Sequence, residues 1–166
     1  MNRPPFRVAP LDAARHDRSA FDCESEPLNR YLQQQATQDV RRRFASCFVA
    51  LTDDERIAGY YTLASSSVSL IDLPVDTRKR LPRYPTVPTV RMGRLAIDRR
   101  FKGMGLGGGL LADALMRAAR SEIAAHALIV DAKDKAALAF YRHHGFIALP
   151  DAPLTVFLPL ETVRGV

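Results

Sequence analysis

The period at which apolar residues recur changes several times along the chain, and each change marks an element. Residues 6–10 alternate briefly and predict a short strand. From Asp22 the run Asp-Cys-Glu-Ser-Glu-Pro carries helix-start chemistry, with Pro27 suited to a first turn. Leu28, Tyr31, Leu32 and Ala36 then recur at helical spacing, with Arg30, Gln34 and Asp39 on the other side, and the helix is predicted to reach about Arg42. Arg41, Arg42 and Arg43 close it, either as a solvated helix end, where cations also suit the dipole, or as a contact for a polyanion. Residues 44–51 and 56–67 are rich in β-branched and aromatic side chains and flank the turn Thr52-Asp53-Asp54-Glu55, which predicts an antiparallel hairpin.

Residues 69–88 break the pattern with Pro74, Pro82, Pro85 and Pro88 and the basic group Arg78, Lys79, Arg80 and Arg83. They predict a long connection with room for one helical turn, of the kind that often carries function. Residues 90–97 predict a strand, and 106–125 a helix with Leu110, Leu111, Ala114, Leu115, Ala118 and Ala119 at core spacing. Residues 127–131 are almost wholly apolar and predict a buried central strand. Residues 134–144 predict a second amphipathic helix with Ala137, Phe140, Tyr141 and His144 on one face and Gly145 just past its end. Residues 146–149 and 155–160 predict two final strands, and His143 and His144 are read as structural. A hairpin followed by βαβα and two strands implies an α/β (α+β) fold with a mixed central β-sheet flanked by helices.

Composition narrows this picture. The 166 residues, 47% hydrophobic, are expected to form one domain over 1–166. No apolar run approaches the roughly 18 residues that would span a membrane, so no membrane partner is expected. Cys23 and Cys47, with no secretory signal before them, fit a reducing, cytoplasmic setting and small packing roles, and are too few for a zinc site, so no metal is expected. The net charge of +6 favours a phosphorylated cofactor, a nucleic acid or an acidic protein, without choosing among them.

The chemistry concentrates after the 90–97 strand, where five glycines fall between Gly103 and Gly109. Each glycine inside a helix costs about 0.5–1 kcal/mol relative to Ala. Unpaired N–H groups and the dipole at a helix start make a phosphate site, and missing Cβ atoms let the anion approach. Gly103, Gly105 and Gly108 also satisfy G-x-G-x-x-G, with Asp131 ending a strand further on. A dinucleotide fingerprint belongs in a tight turn directly after its strand, however, and five residues separate Ile97 from Gly103. Too little chain follows for parallel βα units, so nicotinamide or flavin binding is disfavoured.

Arg100-Phe-Lys-Gly103-Met-Gly105 resembles the Arg/Gln-x-x-Gly-x-Gly/Ala signature of the GCN5-related N-acetyltransferase (GNAT) superfamily. Leu95-Ala-Ile97 is similar to that family's cofactor strand, and Ala137-Leu-Ala-Phe-Tyr141-Arg-His-His-Gly145-Phe146 to its A-x-x-x-Y-x-x-x-G-F helix. Phe21-Asp-Cys, Leu28-Asn-Arg-Tyr-Leu, Leu81-Pro-Arg-Tyr-Pro-Thr-Val-Pro and Gly93-Arg-Leu-Ala-Ile-Asp extend the likeness to the GNAT-fold toxins of toxin-antitoxin pairs, which acetylate aminoacyl-tRNA. The resemblance implies a GNAT fold with splayed parallel cofactor strands and acetyl-CoA as co-substrate. It places the pantetheine arm on strand backbone at Leu95, Ala96 and Ile97. The pyrophosphate falls to Arg100, Lys102, Gly103, Met104, Gly105, Leu106, Gly107 and Gly108, with Asp134 and Phe140 as further cofactor contacts. Asp134 stands where many family members have Asn, which puts the usual pantetheine contact there in question.

The same resemblance makes Tyr141 the catalytic residue, beside the sulfur, where a phenol can protonate or hydrogen-bond the departing thiolate. Periodicity alone favours a tyrosine packed between helix and sheet with its hydroxyl at the rim. The 90–97 strand holds no carboxylate to act as general base, the nearest being Asp98. This favours an α-amine, with pKa near 7.7–8.0, over a lysine near 10.4. Candidate RNA contacts are Arg42, Arg43, Arg91 and Arg94, each of which also suits a solvated surface; Arg91 and Arg94, three apart on a strand, point to opposite faces. A translation-blocking enzyme of aminoacyl-tRNA is expected, with a ribbon-helix-helix antitoxin as partner and a homodimer as assembly. A GNAT enzyme of a protein or small-molecule amine is the alternative, and a non-enzymatic binding module a third reading.

Overall fold

Seven strands form one mixed sheet in the order β1-β2-β3-β4-β5-β7-β6 in the computed structural model, which describes residues 5–163. Residues 1–4 and 164–166, the ends of the domain expected over 1–166, lie outside the described residues. In chain order the strands are β1 (Arg7–Pro10), β2 (Ser46–Leu51), β3 (Ile57–Ser69), β4 (Thr86–Ile97), β5 (Ala127–Asp131), β6 (Ile147–Leu149) and β7 (Ala152–Pro159). The helices are α1 (Glu26–Arg30), α2 (Ala36–Arg41), α3 (Val75–Arg78), α4 (Leu106–Arg120) and α5 (Lys135–His143). The chain divides into two compact units, the first running to Ala64 and resuming over Gly93–Ala114, the second comprising Ser65–Met92 and the chain from Leu115 onward.

In the first unit β1 and β2 are antiparallel from Arg7↔Leu51 to Pro10↔Phe48, and β2 and β3 form the expected hairpin from Ser46↔Leu63 to Leu51↔Ile57. Phe21, Tyr31, Leu32, Ala36, Val49, Leu51, Ile57 and Tyr60 bury together with Ala96 of β4 as the core of this unit. The helix expected to follow the start signals of residues 22–27 and to reach about Arg42 is interrupted: α1 and α2 are joined by a π-helical turn, Tyr31–Gln35, closed by the Ala36 N–H on the Tyr31 carbonyl. The wider turn keeps Tyr31, Leu32 and Ala36 all buried, while Tyr31 donates its hydroxyl to Asp39 at 2.8 Å. Gly59 is required by close approach, because a Cβ there would stand 2.9 Å from the Ala96 carbonyl oxygen and 3.0 Å from Leu110.

In the second unit β4 and β5 run parallel from Thr89↔Ala127 to Arg91↔Ile129, and β7 lies antiparallel to both β5 and β6. Leu73, Val87, Ala127, Ile129, Leu149 and Phe157 form its core. The proline-rich connection holds a short 3-10 turn, Leu70–Asp72, and α3, and the Leu70 N–H bonds the Pro85 carbonyl at 3.0 Å. β4 starts at Thr86, earlier than the apolar pattern suggests, and takes in Pro88, whose carbonyl accepts the His126 N–H at 2.8 Å. α4 stops at Arg120 rather than 125, where the one large apolar residue of the remaining stretch, Ile123, is 82% exposed and anchors no further turn.

Gly59→Ala should lower stability by about 2 kcal/mol by forcing β3 off the β4 carbonyl. Urea unfolding measures this, and a neutral result would mean that the backbones can part without loss.

Candidate active site

In the first unit, β4 ends in Leu95, Ala96 and Ile97 and passes into Asp98, a 3-10 turn at Arg99–Phe101, Lys102 and the glycine segment. Asp98 is fully buried, and a carboxylate out of water needs donors. It accepts from the Asp22 N–H at 3.0 Å, the Arg100 N–H at 2.9 Å, and the Arg100 side chain at 3.0 Å (Nε) and 3.2 Å (Nη2). Its own N–H donates to the Ala58 carbonyl at 2.8 Å, and the Arg99 N–H donates to the Asp22 carbonyl at 2.9 Å. Burial alone would push the Asp98 carboxyl up, but the hydrogen bonds from Arg100 and Asp22 outweigh it and hold the group below the usual carboxylate range. The partner effect raises the Arg100 guanidinium.

Gly103 and Gly105 both sit at φ +78°, a region that side chains rarely adopt, and no atom lies within 4 Å of where a Cβ at Gly103, Gly105 or Gly109 would be. Packing therefore does not explain these glycines. Gly103 and Gly105 are needed for the backbone's turn, and Gly109, inside α4, leaves bare a helix start that a side chain would cover. Leu106 is buried and anchors that start, Met104 is exposed, and the fully buried Tyr61 hydroxyl bonds Asp113 on the same helix. This segment fits a pyrophosphate, with Lys102 at its rim 3.4 Å from Glu24. Arg100 is turned to Asp98 rather than held open for an anion. Arg94 lies 3.5 Å over the Tyr31 ring, and Arg42 and Arg43 are exposed where α2 ends.

In the second unit α5 carries Tyr141. Asp134 caps this helix, its Oδ1 accepting the Ala137 N–H at 2.8 Å, so the carboxylate where an Asn is usual serves the helix start. At the other end Gly145, at φ +92°, donates to the Arg142 carbonyl, and the Phe146 N–H bonds the Tyr141 carbonyl. This is a Schellman cap, and it folds the buried Phe146 ring back to 5.5 Å from Tyr141. Phe140 packs between Tyr141 and His144, with ring centroids 5.2 and 4.8 Å away. Tyr141 is 6% exposed, and burial pushes its phenol up to about 12, so the proton stays on the oxygen at neutral pH. Arg91 is ion-paired with Asp131, which also accepts the Thr155 hydroxyl at 2.7 Å.

The sequence singles out the glycines and Tyr141 as candidates and offers Asp98 only as the nearest carboxylate to the 90–97 strand; its hold on the turn through Arg100 and Asp22 is a structural finding. The local signal was there: a carboxylate two residues before an arginine at a strand end can close a turn on itself. Among the described residues no group of three or more His, Cys, Asp or Glu could hold a metal.

The model of the acetyltransferase (GNAT) family matches residues 12–146. The chain belongs to the GNAT family of acetyltransferases. A tRNA-acetylating toxin of Mycobacterium tuberculosis is 35% identical over 97% of this chain and 94% of its own length. A structure of AtaT complexed with acetyl-methionyl-tRNAfMet superposes with a TM-score of 0.88 at 30% identity, over 95% of this chain and 96% of that one. A tyrosine-to-phenylalanine mutant of AtaT, bound to the C-terminus of the antitoxin AtaR and acetyl-CoA, gives 0.81 at 26% identity over 96% of both chains.

Asp98→Ala should cost about 3 kcal/mol of stability and raise the acetyl-CoA KM more than it lowers kcat. Because the folded pKa of Asp98 is depressed, its charge stabilises fully above the unfolded value near 3.9 and is lost as pH falls through the lower folded value. The stability gap between wild type and Asp98→Asn should hold from neutral pH to about 4 and narrow below it. A gap unchanged to strongly acid pH in urea titrations would show that the charge is not what binds the turn.

Proposed function

We propose that residues 1–166 form one acetyltransferase domain that transfers acetyl from acetyl-CoA to the α-amino group of aminoacyl-tRNA, blocking translation as the toxin of a toxin-antitoxin pair. One observation carries the substrate: near full-length likeness to a tRNA-acetylating toxin and to AtaT in complex with an acetylated aminoacyl-tRNA. Such a substrate places the enzyme in the cytoplasm. Among the described residues no helix is long and apolar enough to cross a membrane.

Acetyl-CoA, when bound, supplies the acetyl thioester. The N–H groups of the segment from Gly103 to Gly108, with Lys102, hold its pyrophosphate, and the backbone of Leu95, Ala96 and Ile97 takes the pantetheine amides. Tyr141 gives its phenolic proton to the sulfur as the carbon–sulfur bond breaks and the new carbon–nitrogen bond forms. A phenol with a pKa of about 12 is always loaded for that task. The carboxylates ending β4 and β5 are both committed, Asp98 to Arg100 and Asp131 to Arg91 and Thr155. The amine must therefore arrive largely neutral, as an α-amine does and a lysine does not. The amine's proton passes to water, and the Tyr141 phenolate takes a proton back from water, which restores the phenol for the next turnover.

A ribbon-helix-helix antitoxin is the partner in this reading, in keeping with AtaT bound to the C-terminus of AtaR, and a homodimer is the proposed assembly, checked by sedimentation. With labelled acetyl-CoA and total charged tRNA, nuclease digestion and mass spectrometry should give N-acetylaminoacyl-adenosine. A product found only on protein or small-molecule amines would overturn the substrate. Tyr141→Phe should cut kcat about 100-fold or more while acetyl-CoA affinity stays within about twofold. Turnover of the wild type should rise as the α-amine loses its proton near pH 7–8 and show no alkaline loss from Tyr141 below pH ~10.

A further inference from the structure

Two helices of this chain end in the same hydrogen-bond pattern, and only one obeys the chemistry that pattern normally carries. At the end of α5 the residue past the cap is Gly145, and the next, Phe146, buries itself on Tyr141. At the end of α2 the Arg43 N–H bonds the Val40 carbonyl at 3.1 Å and the Phe44 N–H the Asp39 carbonyl at 2.8 Å, which is the same Schellman cap. Here the left-handed position, φ +62°, is held by Arg43 instead of glycine, and the following Phe44 is 73% exposed. The residue on which Phe44 would fold back is Asp39, whose carboxylate is taken by Tyr31 and Gln35. Arg41, Arg42 and Arg43 around it are all exposed, and none forms an ion pair among the described residues.

The helix dipole accounts for cations at this end. It does not account for an arginine in a strained left-handed turn or for an aromatic ring left in water, and local rules broken without structural gain mark functional positions. We propose that the corner formed by Arg41, Arg42, Arg43 and Phe44 is an RNA-binding site in which Phe44 stacks on one unpaired base while the arginines meet the flanking phosphates. A flat apolar face amid fixed positive charge suits a nucleotide, which offers a π-face and an anion within one unit. An acidic peptide would use the charge and leave the ring idle. The site rests on the tRNA reading for its biological occupant, but binding is measured apart from acetylation.

The sequence holds no tryptophan, so Phe44→Trp in the full chain gives one reporter on the surface. Uncharged bulk tRNA and an unstructured oligonucleotide should each quench its emission, whereas blunt duplex RNA and polyglutamate should not. Phe44→Ala should weaken tRNA binding about tenfold with little change in its salt dependence. Arg42→Ala should weaken binding and make it less salt-dependent. Arg43→Gly should raise the melting temperature, since glycine suits this turn, yet weaken tRNA binding. Quenching by polyglutamate equal to that by tRNA would assign the corner to a protein partner instead. No quenching by tRNA at concentrations that saturate binding of the wild type, or a change of oligomeric state in Phe44→Ala, would likewise overturn the site. Normal quenching without any acetylated aminoacyl-tRNA would leave the site standing and remove the tRNA-acetylation reading.

Discussion

A buried carboxylate held by four hydrogen bonds sets the geometry of the glycine segment that follows β4. Glycines at φ +78° let the chain turn toward an anion, but they supply freedom and no rigidity. Asp98 supplies the rigidity. It gathers the strand end, the 3-10 turn and the segment at Asp22 around one charge, and the short strand bond to Ala58 ties that charge to β3. A carboxylate in such a place is stable only while its donors hold position, so the turn is fixed by the penalty for breaking it as much as by the bonds themselves.

The same logic, in apolar form, fixes Tyr141. Burial does two things to its side chain: packing by Phe140 and Phe146 holds the ring, and desolvation keeps the proton on the oxygen. The Gly145 turn brings Phe146 back along the helix to do this. Asp134 caps the opposite end, so a short helix of nine residues is held at both ends.

Periodicity made most of the elements legible, because burying one face demands a repeat near 3.6 in helices and near 2 in strands. It was blind where a single backbone step breaks the repeat. The π-turn at Tyr31–Gln35 adds to a helix without disturbing the apolar order of Leu28, Tyr31, Leu32 and Ala36. Pro88 hides the first residues of β4, since a proline reads as a breaker although its carbonyl still pairs. The glycine segment and Tyr141 were readable from motif spacing. The hold of Asp98 on the Asp22 N–H was not, because those residues are 76 apart in sequence and no local pattern announces the pairing. Asp134 looked like a departure from a cofactor contact and is an N-cap, a role that Asp fills as well as Asn.

The arginines divide by what already satisfies them. Arg91 has Asp131, Arg100 has Asp98, and Arg94 lies on the face of Tyr31. A guanidinium paired to a carboxylate adds almost no net charge at its site, so it releases few counterions when a phosphate approaches and must lose a partner to bind directly. Stacking leaves the charge of Arg94 uncancelled but fixes its plane, and that plane is one face of a core aromatic rather than a loose surface. The net charge of +6 is therefore not spread evenly over the candidate arginines. Arg42 and Arg43 are exposed and, among the described residues, form no ion pair, so a polyanion meets them without first breaking an internal salt bridge. Of the four arginines that sequence offered as RNA contacts, physical economy favours the two at the end of α2, and the paired Arg91 is better understood as a brace for β4 and β5.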